Sequence, residues 1–268
     1  MTRIAVLGAG TIGEALLAGL LRAGHQPGEL SFSERYTARC EELEDRYGIA
    51  AVTPAVAAEQ AEVVVVAVKP QDIDALLDEL SAVRADTLVI SLCAGLPTSL
   101  FERRLPAGTP VVRVMPNTPM VIGAAMSAIS AGRHAEDRHL DLAEQLMTAV
   151  GCVVRIPESQ QDAVTALSGS GPAYVFLMAE AMIEAGVHLG VSRGVAADLV
   201  NQTVLGAATM LRESDQHPVL LREAVTSPGG TTSAGVRALE EHGLRSAFFA
   251  AIVAAHDRSV QVGAKHQV

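Results

Sequence analysis

The glycine spacing near the start of the chain limits its fold more than any other feature. Gly8-Ala9-Gly10-Thr11-Ile12-Gly13 follows the apolar run Ile4 to Leu7 and leads into a helical pattern from Gly13 to Arg22. Strand, glycine turn and helix in this order form the opening unit of a doubly wound α/β sheet. Gly8 permits the tight turn, Gly10 lets a pyrophosphate approach the backbone, and Gly13 lets the helix lie close to the strand. The unpaired N–H groups and dipole of the helix start, where Thr11 and Ile12 stand, attract an anion. A dinucleotide is the ligand this arrangement predicts.

The pattern continues to about residue 155. Leu30 to Ser33, Val63 to Val68, Thr87 to Leu92 and Val111 to Met115 are apolar, β-branched runs, with a helical pattern from Tyr36 to Tyr47. Such runs suit parallel strands buried on both faces, joined by right-handed crossovers. Ala125 to Ser130 and Cys152 to Ile156 predict two further strands, with a helix from about Asp137 to Val150 between them. Their direction is left open by the pattern.

Beyond Pro157 the strand signal ends. Helices are expected over Ala173 to Leu189, Arg193 to Glu213, Ser233 to His242 and Arg245 to Gln261. The fold class is therefore α/β: a Rossmann-type dinucleotide-binding domain over 1–156, then an all-helical domain over 157–268. The helices are Ala-rich and apolar on wide faces, and a domain this small offers few places to bury them. Packing against another subunit is expected.

Composition narrows the function classes. The net charge of −10 argues against a nucleic-acid partner, since phosphate backbones need a basic surface. Cys40, Cys93 and Cys152 are scattered without metal-ligand spacing, which suits a reducing cytoplasm and predicts no metal site. No signal peptide is expected, because the first residues lead straight into a strand. No membrane partner is expected either: the run Val63 to Val68 is too short to span a bilayer, and the apolar stretch after Pro172 carries Glu180, Glu184 and His188.

Cofactor contacts are expected at the strand ends, where ligands bind in open α/β sheets. Ser33-Glu34-Arg35 ends the second strand. Glu34 would accept the ribose hydroxyls of NAD(H), whereas Ser33 and Arg35 suit the 2′-phosphate of NADP(H). NADP(H) is the favoured reading and NAD(H) the alternative. Val68-Lys69-Pro70 closes another strand and is assigned a cofactor-side contact. Cys93, Ala94 and Gly95 are small enough to leave room for a nicotinamide ring, and Asn117 ends the next strand on the same edge.

Two segments of the second half look built for an anion. Ser168-Gly169-Ser170-Gly171-Pro172 and Ser227-Pro228-Gly229-Gly230-Thr231-Thr232 each combine hydroxyls and glycines with a helix start. They predict a small carboxylate substrate held by backbone N–H groups. Just as telling, the chain has no lysine between Lys69 and Lys265, and the nearest histidines, His188 and His217, lie well away in sequence. Hydride transfer to a protonated imine fits such a site, because the substrate already carries the charge that draws the hydride.

The runs Leu167 to Tyr174 and Glu223 to Thr232, with the Gly8 to Gly13 turn, resemble the pyrroline-5-carboxylate reductases. The resemblance covers nearly the whole chain, and the two later motifs are specific to that family. It implies reduction of the anionic cyclic imine Δ1-pyrroline-5-carboxylate to L-proline by NAD(P)H, and helical domains that interlock into homodimers, commonly assembled into decamers. It further implies that Gly229, Gly230, Thr231 and Thr232 form the loop holding the substrate carboxylate, through the amides of Gly230, Thr231 and Thr232. Ser168, Gly169 and Ser170 are implied beside the same pocket, and Thr165 near the imine nitrogen. A β-hydroxyacid dehydrogenase, with similar layout, needs a lysine in its helical domain that this chain lacks. A dinucleotide-sensing regulator would have no use for a second anion site.

Overall fold

The structure, a computed structural model, describes residues 2–264; Lys265 lies outside the described residues. Two compact units are present, one of residues 2–170 with 254–264, the other of residues 171–253. Residues 157–170 thus group with the sheet, although the sequence reading divides the chain at 156.

The first unit is built on eight strands: β1 (Ile4–Leu7), β2 (Leu30–Ser33), β3 (Ala50–Ala51), β4 (Val63–Val66), β5 (Leu88–Ser91), β6 (Val111–Met115), β7 (Ala125–Ala131) and β8 (Gly151–Arg155). Their spatial order is β3-β2-β1-β4-β5-β6-β7-β8. Neighbours run parallel, with Ile4 opposite Leu30 on one side and Val63 on the other. The exception is β7, antiparallel to β6 and parallel to β8, which answers the question the sequence leaves open. Between β6 and β7 the chain reverses through a 3-10 turn over Thr118–Ile122 that ends on Gly123, with φ +73°.

Helices α1 (Thr11–Arg22), α2 (Thr37–Tyr47), α3 (Pro54–Gln60), α4 (Ile73–Glu79), α5 (Thr98–Arg104), α6 (Asp137–Thr148) and α7 (Gln161–Val164) complete this unit. Side chains alternate across a strand, so β1 feeds two cores. Ile4 and Val6 pack with Leu16, Leu20 and Phe32, while Ala5 and Leu7 pack with Ile73, Leu77 and Phe101. Each fully buried Leu or Phe side chain contributes about 1.5–3 kcal/mol. A sheet covered on both faces needs strands apolar at every position, which is why β4 is four valines, all buried.

The second unit contains α8 (Gly171–His188), α9 (Arg193–Glu213), α10 (Pro218–Ala224), α11 (Thr231–Glu241) and the first turns of α12 (Leu244–Ala264). Gly186 lets α8 close on α9, since a Cβ there would stand 3.3 Å from the Ala196 Cβ. Little of this unit's apolar surface is covered. Phe176 is 66% exposed, Leu189 82% and Phe249 74%, while Ala196 and Val200 are its buried apolar side chains among the described residues. So large an apolar surface belongs to an interface. No helix among the described residues is long and apolar enough to cross a membrane.

Candidate active site

The sheet order reverses direction between β1 and β4, and the crevice at that switch point is where ligands enter doubly wound sheets. A cavity of about 680 Å³ opens there, lined by Gly8, Gly10, Ser33, Glu34, Arg35, Val68 and Lys69 among others. The glycines fit a dinucleotide for three separate reasons. Gly8 has φ +94°, and a Cβ on it would lie 2.9 Å from the Ala67 carbonyl. A Cβ on Gly13 would lie 2.0 Å from the Gly8 oxygen. Gly10 is different: a Cβ there meets nothing within 4 Å, so the missing side chain leaves open space for a ligand. Gly10 caps α1, which leaves the amides of Thr11, Ile12 and Gly13 without intrahelical partners.

Glu14 follows in the first turn of α1 and is fully engaged. It accepts the Tyr47 hydroxyl at 2.9 Å and pairs with Arg39 and Arg46. Burial opposes its ionisation, but the Tyr47 hydroxyl and the two guanidinium groups outweigh that and hold its carboxyl below the usual range. At the end of β2, the Glu34 carboxylate folds back to accept the amide of Arg35 at 2.7 Å. The Arg35 guanidinium instead reaches Asp72, at 2.9 Å. Arg39 and Asp72 line the cleft too, and the sequence reading did not single out either. Pro70 opens the short 3-10 turn that carries Asp72.

Ala94 is exposed in the loop after β5, beside the buried Cys93. Cys93 donates its thiol to the Val68 carbonyl at 3.3 Å, and burial pushes the thiol up to about 12. Cys152 is exposed. Titration of the native protein with an aromatic disulfide near pH 8 is therefore expected to modify Cys152 and spare Cys93, with all three thiols reacting in denaturant. Rapid modification of native Cys93 would contradict its burial. Among the described residues, no group of three His, Cys, Asp or Glu is placed to hold a metal ion.

Asn117 joins the strand edge to the segment that follows β8. Its amide donates to the Ser168 carbonyl at 3.1 Å and its oxygen accepts the Met126 amide at 2.9 Å. Gly169 lies against Met115, at the carboxyl end of β6; a Cβ there would stand 2.5 Å from the Met115 Cε. Thr165, Ser168 and Gly169 therefore occupy the same sheet edge as β6. They form a π turn, Thr165–Gly169. The wide turn directs the Ser170 amide onto the Thr165 carbonyl at 2.8 Å, so that one amide of the segment is engaged within the chain. The Thr165 hydroxyl donates to the Gln161 carbonyl at 2.9 Å, which leaves its lone pairs to accept.

Gln161 is fully buried and donates to Ser130 at 2.8 Å and to the Ala128 carbonyl at 3.2 Å. Beside it, the buried Arg113 lies 3.5 Å from both Glu158 and Asp162. Glu158 also accepts the Thr98 amide and hydroxyl, and Asp162 accepts the Ser259 hydroxyl at 2.7 Å. This network fixes the floor of the Thr165 turn. A lone arginine in an apolar strand is the one signal of it in the sequence.

The loop Ser227 to Thr232 lies in the second unit. Pro228 and Gly229, with φ +68°, form a turn closed by the Gly230 amide on the Ser227 carbonyl at 3.1 Å. The Gly230 amide is thus engaged within the loop, whereas it is one of the three donors that the resemblance implies. Gly230 caps α11, and the amides without intrahelical partners are those of Thr231, Thr232 and Ser233. His217 caps α10, accepting the Val219 amide at 3.3 Å.

The sheet order, the switch-point cleft and the glycine cradle define a dinucleotide-dependent oxidoreductase of the doubly wound class. Residues 3–95 match the family model described as NADP oxidoreductase, coenzyme F420-dependent, and residues 158–262 match the one described as pyrroline-5-carboxylate reductase dimerisation. The pyrroline-5-carboxylate reductase of Corynebacterium melassecola is 46% identical over 99% of this chain and 100% of its own. That of Mycobacterium tuberculosis is 45% identical over 98% and 97%. Among solved structures, the reductase of Coxiella burnetii superposes with a TM-score of 0.91 at 37% identity, covering 98% of both chains. The Plasmodium falciparum enzyme, solved with NADP bound, gives 0.89 at 28% identity, again over 98% of both. The chain belongs to the pyrroline-5-carboxylate reductase family.

Proposed function

We propose that this chain reduces Δ1-pyrroline-5-carboxylate to L-proline, the last step of proline synthesis, with NADPH preferred over NADH. End-to-end similarity to pyrroline-5-carboxylate reductases carries the reading. Bound NADPH supplies a hydride to the imine carbon. The chain's own residues do the rest. Gly8, Gly10 and the free amides of Thr11, Ile12 and Gly13 hold the pyrophosphate. Ser33 and Arg35 take the 2′-phosphate, with Val68, Lys69 and Pro70 along the cofactor and Ala94 at the nicotinamide end. Support for NADPH comes from Glu34, whose carboxylate is turned onto its own backbone rather than presented to a ribose. The amides of Thr231, Thr232 and Ser233 hold the substrate carboxylate, and the lone pairs of Thr165 accept the N–H of the protonated imine. A substrate that arrives protonated needs no general acid, which suits substrate-side segments, Thr165 to Ser170 and Ser227 to Ser233, that contain no lysine or histidine.

Assembly and location complete the proposal. The chain carries its family's dimerisation region, and the exposed apolar faces of α8, α9 and α12 are the surface a partner would cover. Homodimers of this kind build a decamer in the cytoplasm, whose reducing conditions suit three free cysteines. Absorbance at 340 nm reports turnover: purified protein is expected to oxidise NADPH only when pyrroline-5-carboxylate is added. Intact NADPH binding with no oxidation at saturating substrate would overturn the reading.

A further inference from the structure

We propose that Asp72 is a built-in competitor for the cofactor's 2′-phosphate and sets how strongly the enzyme prefers NADPH. The inference rests on the reading that Arg35 takes that phosphate. Two arginines line the cleft beyond β2, and both already face carboxylates. Their situations differ. Arg39 is held by two acids, Glu14 and Glu42, and its side chain is 26% exposed. It is fixed in the wall. Arg35 is 68% exposed, and among the described residues its ion pair is with Asp72, whose side chain is 33% exposed. An exposed pair of this kind holds weakly, by about 0–1 kcal/mol, so a dianionic phosphate can take the guanidinium from it.

Asp72 therefore acts twice against a 2′-phosphate. It occupies the cation that would receive the phosphate, and its own negative charge stays on the cleft wall after Arg35 has changed partner. A cofactor with a 2′-hydroxyl meets neither obstacle, because it leaves the ion pair intact. The position is set by Pro70, which opens the 3-10 turn carrying Asp72 across from the end of β2. Removing the charge while keeping the shape should favour NADPH and leave NADH unchanged.

The test is calorimetric titration of the wild-type protein, Asp72→Asn and Arg35→Ala with NADPH and with NADH. Asp72→Asn is expected to bind NADPH about twofold to fivefold more tightly, the range a single exposed charge contributes, with NADH affinity unchanged. Arg35→Ala is expected to weaken NADPH binding by about tenfold or more and NADH binding little. Unchanged or weaker NADPH binding by Asp72→Asn, while Arg35→Ala shows its expected loss, overturns the role of Asp72 alone. If Arg35→Ala leaves NADPH affinity intact, the 2′-phosphate assignment falls and the proposal falls with it. Equal losses for both cofactors in Asp72→Asn would show a structural role for the turn, and would equally overturn the proposal.

Discussion

Gly10→Ala is expected to weaken NADPH binding by about tenfold or more, roughly 1.4 kcal/mol, while the folded protein melts as the wild type does. A Cβ at Gly10 touches nothing in the protein, so the methyl group enters only the space that the pyrophosphate would fill. Gly13→Ala is the contrasting variant. Its Cβ would stand 2.0 Å from the Gly8 oxygen, a backbone atom that cannot rotate away. Either α1 or the loop must move, at a cost of about 1–3 kcal/mol, and melting should fall by several degrees along with affinity. Thermal unfolding and NADPH titration of both variants check this. A Gly10→Ala protein that binds NADPH like the wild type would mean that the pyrophosphate does not cross that point.

The second large effect is expected at the loop proposed to hold the substrate carboxylate. Gly230→Val should lower kcat/KM for pyrroline-5-carboxylate by about 100-fold or more, since small displacements of a positioning group cost rates of that order. Its Cβ would meet the Ser227 hydroxyl at 2.3 Å, and the branched side chain would stand at the cap of α11. NADPH affinity should be retained. Thr232→Ala keeps its backbone amide, and its loss should be only a few-fold. Steady-state kinetics on the two variants separate the cases. Equal effects would show that side chains, rather than amides, receive the carboxylate.

Much of this fold was legible because its strands are buried on both faces. β2 and β6 have the bounds the pattern predicts, as does α9. β4 stops two residues earlier than expected, at Val66, and the loop then turns toward Pro70. The pattern missed α3, α4 and α5, each of seven residues, because two turns of helix are too short for the 3.6-residue period to show. It missed β3, which has only two residues.

The site divides in the same way. Glycine positions announce themselves, since each answers a local steric demand. Asp72, Arg39 and the network around Arg113 do not, because their meaning comes from partners distant in sequence. The π turn at Thr165 was hidden for another reason: hydroxyl and glycine residues suit a helix cap and a widened turn equally well.

The last turns of α12 have a consequence for how the protein is made. The Ser259 hydroxyl bonds to Asp162 across 97 residues of chain, and Gly263 packs against the Gly95 carbonyl. During synthesis, the sheet can assemble as soon as its strands have emerged, yet the piece that seats against β5's loop is translated after the whole helical unit. That edge stays open until the turns carrying Ser259 and Gly263 have left the ribosome. Closing so long a loop is slow compared with local contacts, so completion of the edge at β5's loop should be a late event in folding.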